Sequence, residues 1–210
     1  MRENEFIPIS NFYYRQEVDG AIGIDKTDWV VKTSFDIFQD KRCLVFSVPG
    51  PFTPICSGFQ LPRYDKFYND FKFEYNIDEV YCHSVSDFFV MQAWFKDQNI
   101  KNVKMLPDGN GDFARLLGMY VDRTQYGMGK RSWRHAFISD MDMRIERLFT
   151  EPHIEDNIDG DPYEESSPEN VLEYLRRKKA GEDIKSEWLF PDNVPRKGKQ
   201  ARVLGVKTDD

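Results

Sequence analysis

Arg42-Cys43-Leu44-Val45-Phe46-Ser47-Val48-Pro49-Gly50-Pro51-Phe52-Thr53-Pro54-Ile55-Cys56 is the stretch whose reading settles the architecture. Its first seven residues form a nearly continuous apolar run with β-branched and aromatic members. Such a run reads as a strand buried on both faces. Pro49-Gly50 ends it. Thr53 followed by Pro54 predicts a helix start, with Thr53 at the N-cap and Pro54 at the first helical position. The helix is expected to reach about Phe71, with a kink or break near Leu61 because Pro62 removes a backbone donor.

Working outward, Trp29-Val30-Val31 predicts a short strand, and Thr33 to Phe38 one helical turn. Residues before Trp29 are polar and read as irregular, with a turn signal at Asp19-Gly20. Downstream, Glu79 to Val85 predicts a strand, and Ser86-Asp87 caps a helix carrying Phe89, Val90, Ala93 and Trp94. Val103 to Leu106 predicts a third strand. Asp108-Gly109-Asn110-Gly111-Asp112 is a turn leading into a helix with Phe113, Leu116 and Leu117. Trp133 to Ser139 and Arg144 to Phe149 predict a hairpin whose buried face the mixed parity leaves open. Ser167-Pro168 starts a last helix, ended by Gly181. Strands alternating with helices indicate an α/β fold, a largely parallel sheet with an antiparallel hairpin added. The expected organisation is an extension over 1–28, one domain over 29–181 and a tail over 182–210. In the tail, Trp188-Leu189-Phe190-Pro191 is an apolar anchor that crosses the surface or a neighbouring subunit.

Composition bounds the chemistry. The 210 residues are 40 % hydrophobic and include 17 Phe, 10 Tyr and 4 Trp, enough for a sizeable core and unlike a disordered chain. No apolar run approaches the ~20 residues of a bilayer span, and the N-terminus has no apolar signal region. A net charge of −7 argues against a nucleic-acid partner. The basic stretches Lys130-Arg131 with Arg134, and Arg196 to Arg202, read as solvated surface and tail. Three separated cysteines, Cys43, Cys56 and Cys82, form neither a disulfide framework nor a zinc motif, so a reducing, cytoplasmic setting is expected.

Cys56 is the sharpest chemical feature. With Thr53 at the N-cap it falls in the first helical turn, beside backbone N–H groups without intrahelical partners and the positive end of the macrodipole. Thiols in such turns, with a cation nearby, titrate at roughly 3.5–7.5 instead of ~8.5. The thiolate is the nucleophile. Sites in open α/β sheets lie beyond the carboxyl ends of strands, where Cys56 sits. The local residues are equally compatible with a turn cysteine that only fills space, and they name no substrate.

Val45 to Ser57 resembles the active-site segment of the peroxiredoxins, whose Pro-x-x-x-Thr/Ser-x-x-Cys pattern fits Pro49, Thr53 and Cys56. Leu61-Pro62-Arg63-Tyr64 is similar to the redoxin subgroup containing the atypical two-cysteine enzymes and the hybrid peroxiredoxin–glutaredoxin proteins. Ser84 to Met91, Pro107 to Gly111, Gly129 to Arg134 and Glu151-Pro152 agree in the same order, so the resemblance spans about Trp29 to Leu175. It implies a thioredoxin-like fold, a central mixed sheet flanked by helices, and reduction of hydrogen peroxide and alkyl hydroperoxides without a cofactor or metal. By matching position, Cys56 is the peroxidatic cysteine and forms a sulfenic acid. Thr53 offers its hydroxyl to the thiolate and peroxide, and Pro49 closes the pocket. Arg134 holds the thiolate and stabilises charge on the departing oxygen. A homodimer is implied, with Phe52 and Met91 beside its contact.

The departures from the family are informative. Gln60 stands where the subgroup often carries His, and cannot titrate. Pro51 replaces a usual small Ala. No cysteine follows Glu151-Pro152, and no Cys-x-x-Cys segment is present. Cys43 and Cys82, on predicted buried strands, read as packing residues. A one-cysteine cycle follows, re-reduced by an external thiol: glutathione, glutaredoxin or thioredoxin. The alternative is a thioredoxin-fold redox sensor or binding protein of low turnover. His83, His135 and His153 are scattered and read as structural. The acidic stretch Glu155 to Asp161 reads as a solvated loop, and Phe88, Phe89 and Trp94 as core.

Overall fold

A computed structural model describes residues 1–17, 27–182 and 184. The Asp19-Gly20 turn, the Trp188 to Pro191 anchor and the Arg196 to Arg202 stretch lie outside the described residues. In chain order the strands are β1 (Asn11–Glu17), β2 (Thr27–Thr33), β3 (Cys43–Ser47), β4 (Glu79–Ser84), β5 (Lys104–Pro107), β6 (Tyr120–Asp122), β7 (Lys130–Ser132), β8 (His135–Ser139) and β9 (Ile145–Thr150). The α-helices are α1 (Ser34–Phe38), α2 (Leu61–Lys66), α3 (Phe88–Asp97), α4 (Asp112–Leu116) and α5 (Pro168–Lys179).

The central sheet has the order β5-β4-β3-β8-β9. Strands β3, β4 and β5 run parallel, and β8 and β9 are antiparallel additions. This is the mixed, thioredoxin-like sheet that the sequence predicts. Strand β3 is buried throughout because both faces carry a core. Leu44 and Phe46 join one cluster with Val80, Cys82, Trp94, Ala136 and Ile138, whereas Cys43 and Val45 join another with Tyr81, Phe113 and Phe137. The period of two along each strand sorts neighbours to opposite faces.

The caps follow the predicted chemistry. Asp87 accepts the Val90 N–H at the start of α3, and Ser167 accepts that of Asn170 at the start of α5. Asp108 accepts N–H groups of Phe113 and Ala114 across the Gly109–Gly111 turn. Gly111 is held at φ +70°, and a Cβ there would come within 2.5 Å of the Tyr120 ring.

Four expectations need correction. The stretch before Trp29 is not irregular: Asn11–Glu17 pairs antiparallel with Thr27–Thr33, and Ile7 and Phe12 enter the core. On α3 the buried residues are Phe88, Met91 and Trp94, three apart, which leaves Phe89 54 % exposed. Met91 is therefore core and is not available as an interface residue. Lys130 is exposed as expected and pairs with β6 through the short strand β7, but Arg134 is 1 % exposed and not solvated surface.

His135 is fully buried at the start of β8, with Nδ1 2.7 Å from the Trp133 carbonyl and Nε2 without a partner among the described residues. Burial, with His83 nearby, pushes its pKa down to about 3. The native state keeps it neutral, while the unfolded chain takes up a proton below about 6.5. Its stabilising share is therefore complete above that value and lost as pH falls toward 3. Lowering the pH from 7 to 5 is expected to remove about 2 kcal/mol through this residue. Urea unfolding at both pH values checks this. His135→Gln should show that much less acid sensitivity; identical pH dependence in the two proteins contradicts it.

Candidate active site

The loop after β3 is built from Val48-Pro49-Gly50-Pro51-Phe52 and ends at Thr53. Phe52 takes φ +62° to make the turn. Helical structure begins at Pro54, and the Thr53 carbonyl accepts the Ser57 N–H at 2.9 Å. Cys56 is thus in the first turn, as predicted. The Thr53 side chain does not cap that turn; its hydroxyl donates to the Gly50 carbonyl at 2.9 Å. Pro49 and Gly50 are buried and Phe52 is 55 % exposed.

Pro62 does not break the helix. Residues Cys56–Gln60 form one π turn, in which the Leu61 N–H reaches back five residues to the Cys56 carbonyl. A proline lacks its own N–H and its ring crowds the carbonyl four residues earlier; a widened turn absorbs that conflict. A second π turn, Asp70–Glu74, carries the segment past the expected end at Phe71. Trp94 donates its indole N–H to the Ser57 hydroxyl at 2.9 Å, and the Phe46 and Tyr64 rings stack 3.8 Å apart. These contacts pin the Cys56 helix against α3 and the sheet.

Arg134 enters from the connection between β7 and β8. Its Nη1 donates to the Cys56 sulfur at 3.4 Å and also to the Gln60 side-chain oxygen. Cys56 and Gln60 are completely buried. Gln60 donates in turn to the Ser47 carbonyl at 3.3 Å, so one amide links the end of β3 to the guanidinium. That is a hydrogen-bonding role a non-titrating residue fills. Burial alone would pull the Arg134 pKa down; Cys56 and Asp161 beside it more than offset this and raise it above the ordinary value. Pro49 lines a small cavity together with Arg134, Trp133 and Asp161. The residues expected at the site therefore converge, with Thr53 one turn before the sulfur.

Sequence reading missed Asp161. Both of its carboxylate oxygens accept from Arg134 Nη2, at 2.5 and 2.6 Å. The loop read as solvated thus supplies the counter-ion of the buried guanidinium. Asp161 lies 27 residues from Arg134, and no local pattern ties the two together. Glu151 is buried and accepts from the Glu164 N–H and from the N–H and hydroxyl of Ser166.

Among the described residues, neither of the other thiols is hydrogen-bonded to Cys56 or Arg134. Cys43 and Cys82 are free and buried. Burial pushes the Cys43 thiol up to about 12. Burial pushes the Cys82 thiol well above its usual value; Cys56 adds to this and Arg134 partly opposes it. Among the described residues no group of His, Cys, Asp or Glu is arranged to hold a metal ion, and no helix is long and apolar enough to cross a membrane.

Comparison with known proteins places this chain in a family. Residues 25–172 match the Redoxin family model. A peroxiredoxin of Rhizobium etli is 45 % identical over 170 residues, covering 81 % of this chain and 94 % of that protein. The hybrid peroxiredoxin hyPrx5 of Haemophilus influenzae is 42 % identical, covering 70 % of this chain and 58 % of that one. Among solved structures, the Plasmodium falciparum antioxidant protein, described as a 1-Cys peroxiredoxin, superposes with a TM-score of 0.76 at 33 % identity, covering 83 % of this chain and 99 % of that one. A buried cysteine in the first turn of a helix, an arginine on its sulfur and these likenesses agree: the chain belongs to the redoxin family as a peroxiredoxin, a thiol peroxidase.

Proposed function

We propose that Cys56 is the peroxidatic thiol of a one-cysteine cycle that reduces hydrogen peroxide and alkyl hydroperoxides. The observation that carries this reading is the buried contact between Arg134 Nη1 and the Cys56 sulfur. The Cys56 thiolate attacks one peroxide oxygen in line with the O–O bond. The S–O bond forms as the O–O bond breaks, and the departing oxygen takes a proton to leave as water or an alcohol. Arg134 stabilises the charge that develops on it. Thr53 turns its hydroxyl from Gly50 toward the bound peroxide, and Pro49 keeps bulk water from the sulfenic acid.

An external thiol then attacks the sulfenic sulfur, releasing water and leaving a mixed disulfide. A second thiol resolves this and restores Cys56. Glutathione, glutaredoxin or thioredoxin is the donor. The burial and high pKa values of Cys43 and Cys82 support an external resolving thiol, as does the description of the Plasmodium protein as a 1-Cys peroxiredoxin. A reduced Prx3 from Vibrio vulnificus, 28 % identical, has been solved with hydrogen peroxide, which supports the substrate class. The reading extends to a cytoplasmic homodimer, with the exposed Phe52 ring beside the site as part of its contact. Roles for nucleic acid, membrane, metal or organic cofactor are not part of it.

The test removes both other thiols. Cys43→Ala with Cys82→Ala should turn over hydrogen peroxide with added glutathione or dithiothreitol at a rate within about twofold of the parent, because among the described residues neither thiol is hydrogen-bonded to Cys56 or Arg134. A double variant that stays folded but stops after one equivalent of peroxide would instead assign the resolving role to one of these cysteines.

A further inference from the structure

Arg134 is gripped from several sides, and the family pattern accounts for only part of that grip. Nη1 faces Cys56 and Gln60, and Nη2 is held by both oxygens of Asp161. The Tyr163 ring lies over the guanidinium, 5.5 Å from its carbon. Both oxygens close on the one nitrogen Nη2, so the carboxylate anchors that end of the guanidinium, and the aromatic ring limits its tilt.

The carboxylate is itself presented by a built loop. Arg123, 6 % exposed, donates to the Ile158 and Gly160 carbonyls at 3.0 and 2.7 Å. The Asp122 N–H donates to Asp156, and the Asp122 carbonyl accepts from the Asn157 N–H. Asn157 also accepts from the Gln125 N–H. The segment after β9 is thus laced to the β6–β7 segment, and Asp161 is delivered to Arg134 from that frame.

We propose that Asp161 is a positioning residue for the Arg134–Cys56 pair: it anchors Nη2 so that Nη1 points at the sulfur, and it holds back part of the cation's charge from that sulfur. This rests on the reading of Cys56 as the reacting thiol. The groups around the pair are the neutral Gln60 from the Cys56 helix, Cys82 from β4, and Asp161 with Tyr163 from the loop after β9. Asp161 is the one carboxylate among these groups, so its removal has two opposed effects. Arg134 then acts on Cys56 with its full charge, which favours the thiolate. The same cation becomes free to rotate, which spoils its aim at the departing oxygen. A residue with only a structural role would instead loosen the Arg134 contact and disfavour the thiolate.

The test is Asp161→Asn, followed by iodoacetamide alkylation of Cys56 across pH and by peroxide consumption. The alkylation profile should move to lower pH by at least about 0.5 unit, while kcat/KM for hydrogen peroxide falls about 10-fold. Asp161→Glu should return the alkylation profile to that of the parent. A profile that stays in place or moves to higher pH overturns the proposal, as does a peroxide rate within twofold of the parent. Alkylation of one cysteine per chain, not three, certifies that the core holding Cys43 and Cys82 is closed. Asp161→Ser repeats the comparison if the amide is not tolerated. Alkylation needs no peroxide, so a shifted profile in a protein that consumes none would sink the functional reading and the aiming role with it, and keep only the withheld charge.

Discussion

Cys56→Ser is expected to lose peroxide reduction by roughly 10³-fold or more, about 4 kcal/mol or more of transition-state stabilisation. The substitution changes one atom. A serine hydroxyl in the same turn stays protonated, and its oxygen is a poor nucleophile toward another oxygen. Arg134 keeps its place through Asp161 and Gln60, so the fold around the site has no reason to move. Intact mass after a brief pulse of hydrogen peroxide reads the result. The parent should gain about 16 Da as the sulfenic acid while the variant gains nothing. A variant that consumes peroxide as fast as the parent removes Cys56 from the chemistry.

Arg134→Met carries the second largest effect. Methionine keeps length and apolar bulk but no charge and no donor. The Cys56 thiolate loses its cation, and the departing oxygen loses the group that stabilises it. Peroxide attack should slow by at least about 10-fold, some 1.4 kcal/mol, and the alkylation profile of Cys56 should move to higher pH. That direction is opposite to the one expected for Asp161→Asn. The fold should survive, because the Asp161 side chain is 28 % exposed and water can serve it once the arginine is gone. Unchanged rates in a folded variant would exclude Arg134 from the mechanism.

Sequence reading succeeded where a local pattern has one physical cause. The run Cys43 to Val48 is apolar on both faces because a core packs on each side of the sheet, so its strand was legible from residue type alone. Asp87 and Ser167 announced their helices by capping chemistry. The first-turn position of Cys56 followed from Thr53 and Pro54. Elements with diluted patterns were less readable. Among the described side chains of β1 only Phe12 is fully buried, while its neighbours Asn11 and Tyr13 face outward, so the strand reads as polar chain. The π turn is a shift in hydrogen-bond register that Pro62 forces, and a proline alone does not say whether a helix will break or widen. At the site, Cys56, Pro49 and Thr53 lie close together in sequence, and the family pattern supplied Arg134. Asp161 belongs to a pair formed by chain reversal through β8 and β9, and periodicity carries no information about such pairs.

The complete burial of Cys56, with an arginine only 1 % exposed against it, bears on how the medium acts on this sulfur. Dissolved electrolyte weakens attractions between exposed groups over a Debye length of about 8 Å at physiological ionic strength, by placing mobile ions around them. No such ions fit between these two atoms. The pull of guanidinium on sulfur is thus set by packing, and dilute and concentrated buffers meet the same nucleophile.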